Sequence, residues 1–156
     1  MKLVHLNPAS LFAAPGGMYS HAVRAGEQLY ISGQIARDLD GKLVGDGDVV
    51  AQYRHVWASL GTVLAAAGLG YEHLVKTTTY VVGEANVPAI RALRKELAPP
   101  KPPASTMLVL PALAIPGALV EVDAIAVFPA ARRARPKSRP RARTAPAKRR
   151  GGSRRG

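Results

Sequence analysis

The stretch Leu119-Val-Glu-Val-Asp-Ala-Ile-Ala-Val-Phe128 decides the reading of this chain. Eight of its ten residues are apolar and many are β-branched, which is the pattern of a strand. Side chains alternate along a strand, so Glu121, Asp123, Ile125 and Val127 share one face, and Val120, Val122, Ala124 and Ala126 share the other. Taking a carboxylate out of water costs several kcal/mol unless it is paired or hydrogen-bonded. The two acids therefore mark either a wet rim or a task.

Working outward, Ser105–Pro111 is a second late strand, reached through the stiff connection Pro99-Pro-Lys-Pro-Pro103. Before it, Val75–Val82 is strand-like, and Val87–Leu97 reads as a short helix with Pro88 in its first turn. The clearest helix places Val49, Tyr53, Val56, Leu60, Val63 and Ala67 on one face, with Asp46 or Asp48 to cap its start and Gly68 or Gly70 its end. Tyr19–Arg24 and Gln28–Ala36 flank the turn Ala25-Gly26-Glu27 as two early strands. Asp40-Gly41 signals another turn, with Lys42–Val44 a short edge candidate. This order predicts an α+β fold: a mixed sheet with both helices on one face. The other face then needs cover, and self-association is the economical way to supply it.

The chain has 156 residues and no cysteine, which excludes disulfides and Cys-based zinc sites. Nothing in it reads as a signal peptide or a membrane span, and a soluble cytoplasmic protein is the expectation. The net charge of +12 is misleading until it is divided. Residues 132–156 carry 12 of the 22 Lys and Arg and no acid, leaving 10 bases against 10 acids in the rest. The expected organisation is a folded domain over 1–130 and a disordered basic tail over 131–156. Such a polycation binds nucleic acid non-specifically through counterion release, but without aromatic residues it has no means of reading bases.

The segments PGGMYSHAVRAGEQLYISGQ (15–34), VVAQYRHVWASLGTVLAAAGLGYEHLVKTTTYV (49–81) and PAST…VEVDAIAVF (103–128) together resemble the Rid family, also called RidA or YjgF-like. The resemblance runs in order through nearly all of residues 14–128. It implies a six-stranded mixed sheet backed by two helices, in the YjgF-like (chorismate mutase-like) fold. It also implies a homotrimeric barrel with clefts between subunits. Archetypal members hydrolyse reactive enamines and imines of amino acids, such as 2-aminoacrylate and 2-iminopropionate, to 2-oxo acids and ammonia. They use no metal or organic cofactor.

Carried over by position, Glu121 matches the glutamate that holds the attacking water, and Asp123 matches a second acidic position suited to a structural hydrogen bond or ion pair. Tyr19 matches a cleft tyrosine, and Ser32 and Gly33 match the S-G-Q turn, where a β-bulge would equally account for the glycine. His21 is a further candidate for the cleft, with a satisfied surface histidine as the plain alternative.

The departure from the family lies in Pro103-Ala-Ser-Thr106, where deaminating members carry Pro-Ala-Arg-Ser. Counting from the proline puts Ser105 in the arginine's place; counting back from Glu121 puts Thr106 there. Neither carries charge. Losing a bidentate arginine–carboxylate fork typically costs about 2–5 kcal/mol. Ser105 and Thr106 remain candidate substrate-binding residues through their hydroxyls, and His21, Arg24 and Arg94 are the candidate replacement cations. The four histidines (5, 21, 55 and 73) have no metal-ligand spacing, and no phosphate-binding loop, dinucleotide fingerprint or serine elbow is present.

Three functions follow in order: an imine, enamine or related C–N hydrolase acting on a small molecule with an altered grip, a non-catalytic binder of small ligands, and an RNA-associated protein acting through its basic tail. No cofactor, metal or membrane partner is expected for the first.

Overall fold

The structure, a computed structural model, describes residues 2–130. The basic segment expected to be a disordered tail lies outside these residues. Six strands form one sheet: β1 (Leu3–Leu6), β2 (Ala22–Ala25), β3 (Gln28–Ile35), β4 (Leu74–Val82), β5 (Ala104–Leu110) and β6 (Val120–Val127). Two helices accompany it, α1 (Val49–Ala66) and α2 (Val87–Leu97). The strand order is β1-β2-β3-β6-β4-β5. All neighbours are antiparallel except β4 and β5, whose parallel pairing uses α2 and the proline-rich connection as its crossover. The last strand in sequence is thus central in space.

The alternation in β6 reads directly onto burial. Val120, Val122, Ala124 and Ala126 are buried, and Glu121, Asp123, Ile125 and Val127 are only partly so. Against the buried face lie Tyr53, Val56, Leu60 and Val63 of α1, and Ile90 and Leu93 of α2. Each such aliphatic or aromatic side chain contributes about 1.5–3 kcal/mol on leaving water. Asp48 caps α1, accepting from Val50 N at 2.9 Å and Ala51 N at 3.1 Å. Gly68, at φ +74°, ends it: its N–H bonds Ala65 O, and Leu69 N bonds Leu64 O, closing a Schellman motif. The opposite sheet face exposes Tyr30, Tyr80, Leu108, Ile125 and Val127 to varying degrees, and none of them is buried.

The edge differs from expectation. Lys42–Val44 forms no strand; Leu43 makes only an isolated bridge to Arg37. The sixth strand is instead β1, paired in register from Leu3↔Ala25 to Leu6↔Ala22. Its four residues, mostly exposed, carry no apolar–polar alternation to announce them. The early strand also begins late, at Ala22, because Asn7 Oδ1 captures the backbone N–H of His21 at 2.9 Å.

Among the described residues, no helix is long and apolar enough to cross a membrane.

Candidate functional site

Glu121 stands near the start of β6, opposite Ile35 of β3 and Tyr80 of β4. Just beyond it the β3–β6 ladder slips. Ile31 faces Ala124 and Gln34 faces Val122, so Ser32 and Gly33 together oppose Asp123 in a bulge. The Glu121 carboxylate lies against this bulge. A Cβ on residue 33 would sit 1.7 Å from its Oε1, so only glycine leaves the space.

The two acids of β6 have different surroundings. Asp123 accepts a hydrogen bond from the Tyr80 hydroxyl at 2.8 Å, within one chain, and that bond raises the Tyr80 pKa above its ordinary value. Glu121 has no such donor among the described residues. Burial, and then the negative charge of Asp123, push its carboxyl above the usual range. Glu121 is therefore poised to take a proton at a pH where an exposed glutamate would not.

A cavity of about 510 Å³ opens over this carboxylate. It brings together Tyr19, His21, Ser32, Gly33 and Glu121, five residues that the sequence singled out. Its remaining wall is largely apolar, with Leu11, Phe12, Met18, Ile35 and Ile115. Ser32 donates its hydroxyl to Ser20 O at 2.7 Å and its backbone N–H to His21 O at 3.0 Å. Its side chain thus fastens the Tyr19–His21 segment to the bulge rather than offering a donor to the cavity.

His21 is only 7% exposed. Its Nε2 bonds Phe12 O at 2.8 Å, and since a carbonyl only accepts, the proton sits on Nε2. Nδ1 is buried without a partner among the described residues. Tyr19 stands edge-on to the ring, with centroids 6.0 Å apart.

Three polar residues that line or support the cavity, besides its apolar wall, escaped the sequence reading. Arg37 lines the cavity two residues beyond Ile35, with its guanidinium 3.8 Å over the Phe12 ring and its Nε bonded to Gly41 O at 2.9 Å. Continuing the period-two count of β3 past Ile35 would have found it. Ser59 of α1 also lines the wall. Gln52, fully buried on α1, donates to Gly45 O and Gly117 O, each at 3.0 Å, and accepts from Leu119 N at 2.8 Å. It locks the chain entering β6 and so fixes where Glu121 stands. Both are polar residues beside the apolar stripe of α1, which was the signal available.

Ser105 and Thr106 are elsewhere. They sit on the edge strand β5, beyond β4, and do not line the cavity. Ser105 accepts from the buried Thr77 hydroxyl at 3.2 Å, and Thr106 Oγ1 accepts from Lys76 Nζ. Nor do the proposed replacement cations Arg24 and Arg94 line the cavity. Arg24 stacks 3.8 Å over Phe128, and Arg94 belongs to the surface near the proline-rich connection. Among the described residues, no group of three or more His, Asp or Glu is able to hold a metal ion.

A model of the family described as Endoribonuclease L-PSP matches residues 11–128. The chain is 34% identical over 117 residues to a RutC family protein of Synechocystis sp., covering 74% of this chain and 90% of that one. It is 30% identical over 116 residues to the human protein named 2-iminobutanoate/2-iminopropanoate deaminase, covering 73% and 84% respectively. Among solved structures, a Rid-family protein of Yersinia pestis superposes with a TM-score of 0.75 at 30% identity, covering 81% of this chain and 100% of the other.

Proposed function

Since the chain belongs to the Rid (YjgF-like) family, that of the Endoribonuclease L-PSP model, we propose that it hydrolyses a reactive imine or enamine of a small molecule, without a cofactor, with Glu121 holding the attacking water. The observation that carries this reading is the Glu121 carboxylate laid on the Gly33 bulge at the floor of a largely apolar cavity, with its pKa raised. The name of the human relative supports the same chemistry.

In the reaction, water bound at Glu121 attacks the imine carbon while its proton passes to the carboxylate. The carbinolamine so formed keeps its hydroxyl. Glu121 returns that proton to nitrogen and then relays the hydroxyl proton to the same nitrogen, so that the C–N bond breaks and ammonia leaves as the carbonyl forms. One water is consumed, and the carboxylate is regenerated. A carboxyl with a raised pKa suits both halves, because it is a stronger base than an ordinary carboxylate and remains an acid able to return the proton.

We further propose a homotrimer in which the open sheet faces are covered by neighbouring chains. The side chains of Tyr30, Leu108 and Ile125 on that face favour it. In that assembly a neighbour's β5 would bring Thr106, which lies on the open face, to the cavity mouth and Ser105 beside it through its backbone, completing an inter-subunit cleft. Any nucleic-acid contact belongs to the basic segment 132–156, with a steep loss of affinity on adding salt and no dependence on the cavity.

The test is direct. Amino-acid oxidases generate a panel of imines in situ, semicarbazide traps those that survive, and the protein competes for them. Faster ammonia release with less semicarbazone supports hydrolysis; an unchanged yield across the panel, from a folded assembly of three chains, rejects it.

A further inference from the structure

The cavity lacks the family's arginine on β5, yet it contains a guanidinium of its own. Arg37 follows Ile35 by two residues, and Ile35 is the register partner of Glu121. Arg37, just past the bend at Ala36, and Glu121, whose carboxylate lies against Gly33, both line the cavity. The main chain of Arg37 is held from two sides. The bridge to Leu43 fixes one, and His55 Nε2 of α1, 3.0 Å from Arg37 O, fixes the other.

The side chain is preset as well. Phe12 supports the plane of the guanidinium at 3.8 Å, and Nε is committed to Gly41 O. No carboxylate among the described residues forms an ion pair with Arg37. Neither Nη group makes a hydrogen bond among the described residues, although Nη2 stands against Gly41, so the guanidinium keeps donors for a carboxylate.

We infer that Arg37 is the residue that grips the substrate's carboxylate in this chain, and that the substrates are 2-imino acids with a bulky apolar side chain. This deepens the proposed hydrolysis and rests on it. The apolar wall of Leu11, Phe12, Met18, Ile35 and Ile115 receives the side chain, and about 510 Å³ accommodates a branched aliphatic or aromatic group. Grip and water-holding carboxylate thus come from two separate segments around one cavity.

The test pairs binding with turnover. Isothermal calorimetry of the wild-type chain with 4-methyl-2-oxopentanoate, the 2-oxo acid product of the leucine-derived imine, should give binding at least tenfold tighter than with pyruvate, at roughly fourfold per methylene buried. Arg37→Gln should weaken the oxo acid by 30-fold or more, while leaving its neutral amide within twofold of wild type. Arg37→Lys, which keeps the charge but loses the fork, should fall between. In turnover of the leucine-derived imine, Arg37→Gln should raise KM by a similar factor with kcat nearly unchanged.

No binding of the oxo acid by wild type would overturn the inference. So would unchanged oxo-acid binding by a folded Arg37→Gln, or equal losses for acid and amide, which would make Arg37 a packing residue. If the oxo acid binds through Arg37 but no imine is hydrolysed, the grip stands and the hydrolase reading falls. If imines are hydrolysed with no effect of Arg37→Gln, the hydrolase reading stands and the grip falls.

Discussion

Gly33 and Glu121 are built around each other: a Cβ at position 33 would lie 1.7 Å from the Glu121 Oε1 and 2.6 Å from its carboxyl carbon. The bulge in β3 and the acid in β6 form a single device that presents a carboxylate to the cavity floor.

Gly33→Ala is therefore expected to spare the fold and harm the chemistry. The clash is with the far end of a flexible side chain, so stability should fall by about 1–2 kcal/mol at most. The carboxylate must swing away, however, and a displacement of about 1 Å costs on the order of 100-fold in rate. Thermal melting beside kcat/KM on an imine substrate checks both halves. A variant with full activity would mean that Glu121 does not need its place on the bulge.

Asp123 should set the acid limb of the pH profile without touching the substrate. Its charge is the second cause, after burial, of the raised Glu121 pKa. Asp123→Asn removes that charge, so the Glu121 carboxyl loses its proton more easily. The acid limb of kcat/KM is expected to move to lower pH. An unmoved limb would show that another group governs it.

Stability should respond to Glu121 in the opposite sense to activity. A carboxyl whose pKa is higher in the folded state than in the unfolded chain favours folding most below the unfolded value, and loses that contribution as pH rises through the folded value. Above that range the buried charge is a burden. Glu121→Gln is thus expected to melt at a higher temperature than wild type at pH 8, with the difference shrinking as pH falls towards the ordinary carboxyl range. Parallel melts across pH decide it; a constant difference would contradict the burial argument.

Gln52 is expected to be the costliest polar residue to lose. Gln52→Leu strands two carbonyls and the Leu119 N–H in the interior. Leaving buried polar groups unpaired costs about 1–3 kcal/mol each, and partial relaxation brings the total to about 2–5 kcal/mol. Urea denaturation measures it. Activity should fall too, because Leu119 leads directly into the strand that carries Glu121.

Much of this was legible in the sequence because it depends on periodicity. The period-two pattern of β6 gave its buried face, and the stripe from Val49 to Val63, with Asp48 and Gly68 at its ends, gave α1. Tyr19, Ser32, Gly33 and Glu121, the positions matched by the family resemblance, line one cavity together with His21. Where the period breaks, the reading broke as well. β1 is too short and exposed to carry a pattern. Arg37 sits past the end of β3, in what reads as a turn, although its alternation with Ile35 continues. Whether Ser105 or Thr106 faces the open side cannot be counted along the chain, because it depends on pairing with β4. The register puts Ser105 beside buried Thr77 and Thr106 beside Thr78, itself opposite Asp123.

The measurement closest to the central claim compares wild type with Glu121→Gln on one imine, together with calorimetry of its 2-oxo acid product. If Glu121 holds and deprotonates the attacking water, kcat/KM falls by 100-fold or more, while product affinity stays within about threefold, a range of less than 1 kcal/mol. A Gln variant that hydrolyses the imine at close to the wild-type rate would contradict the account.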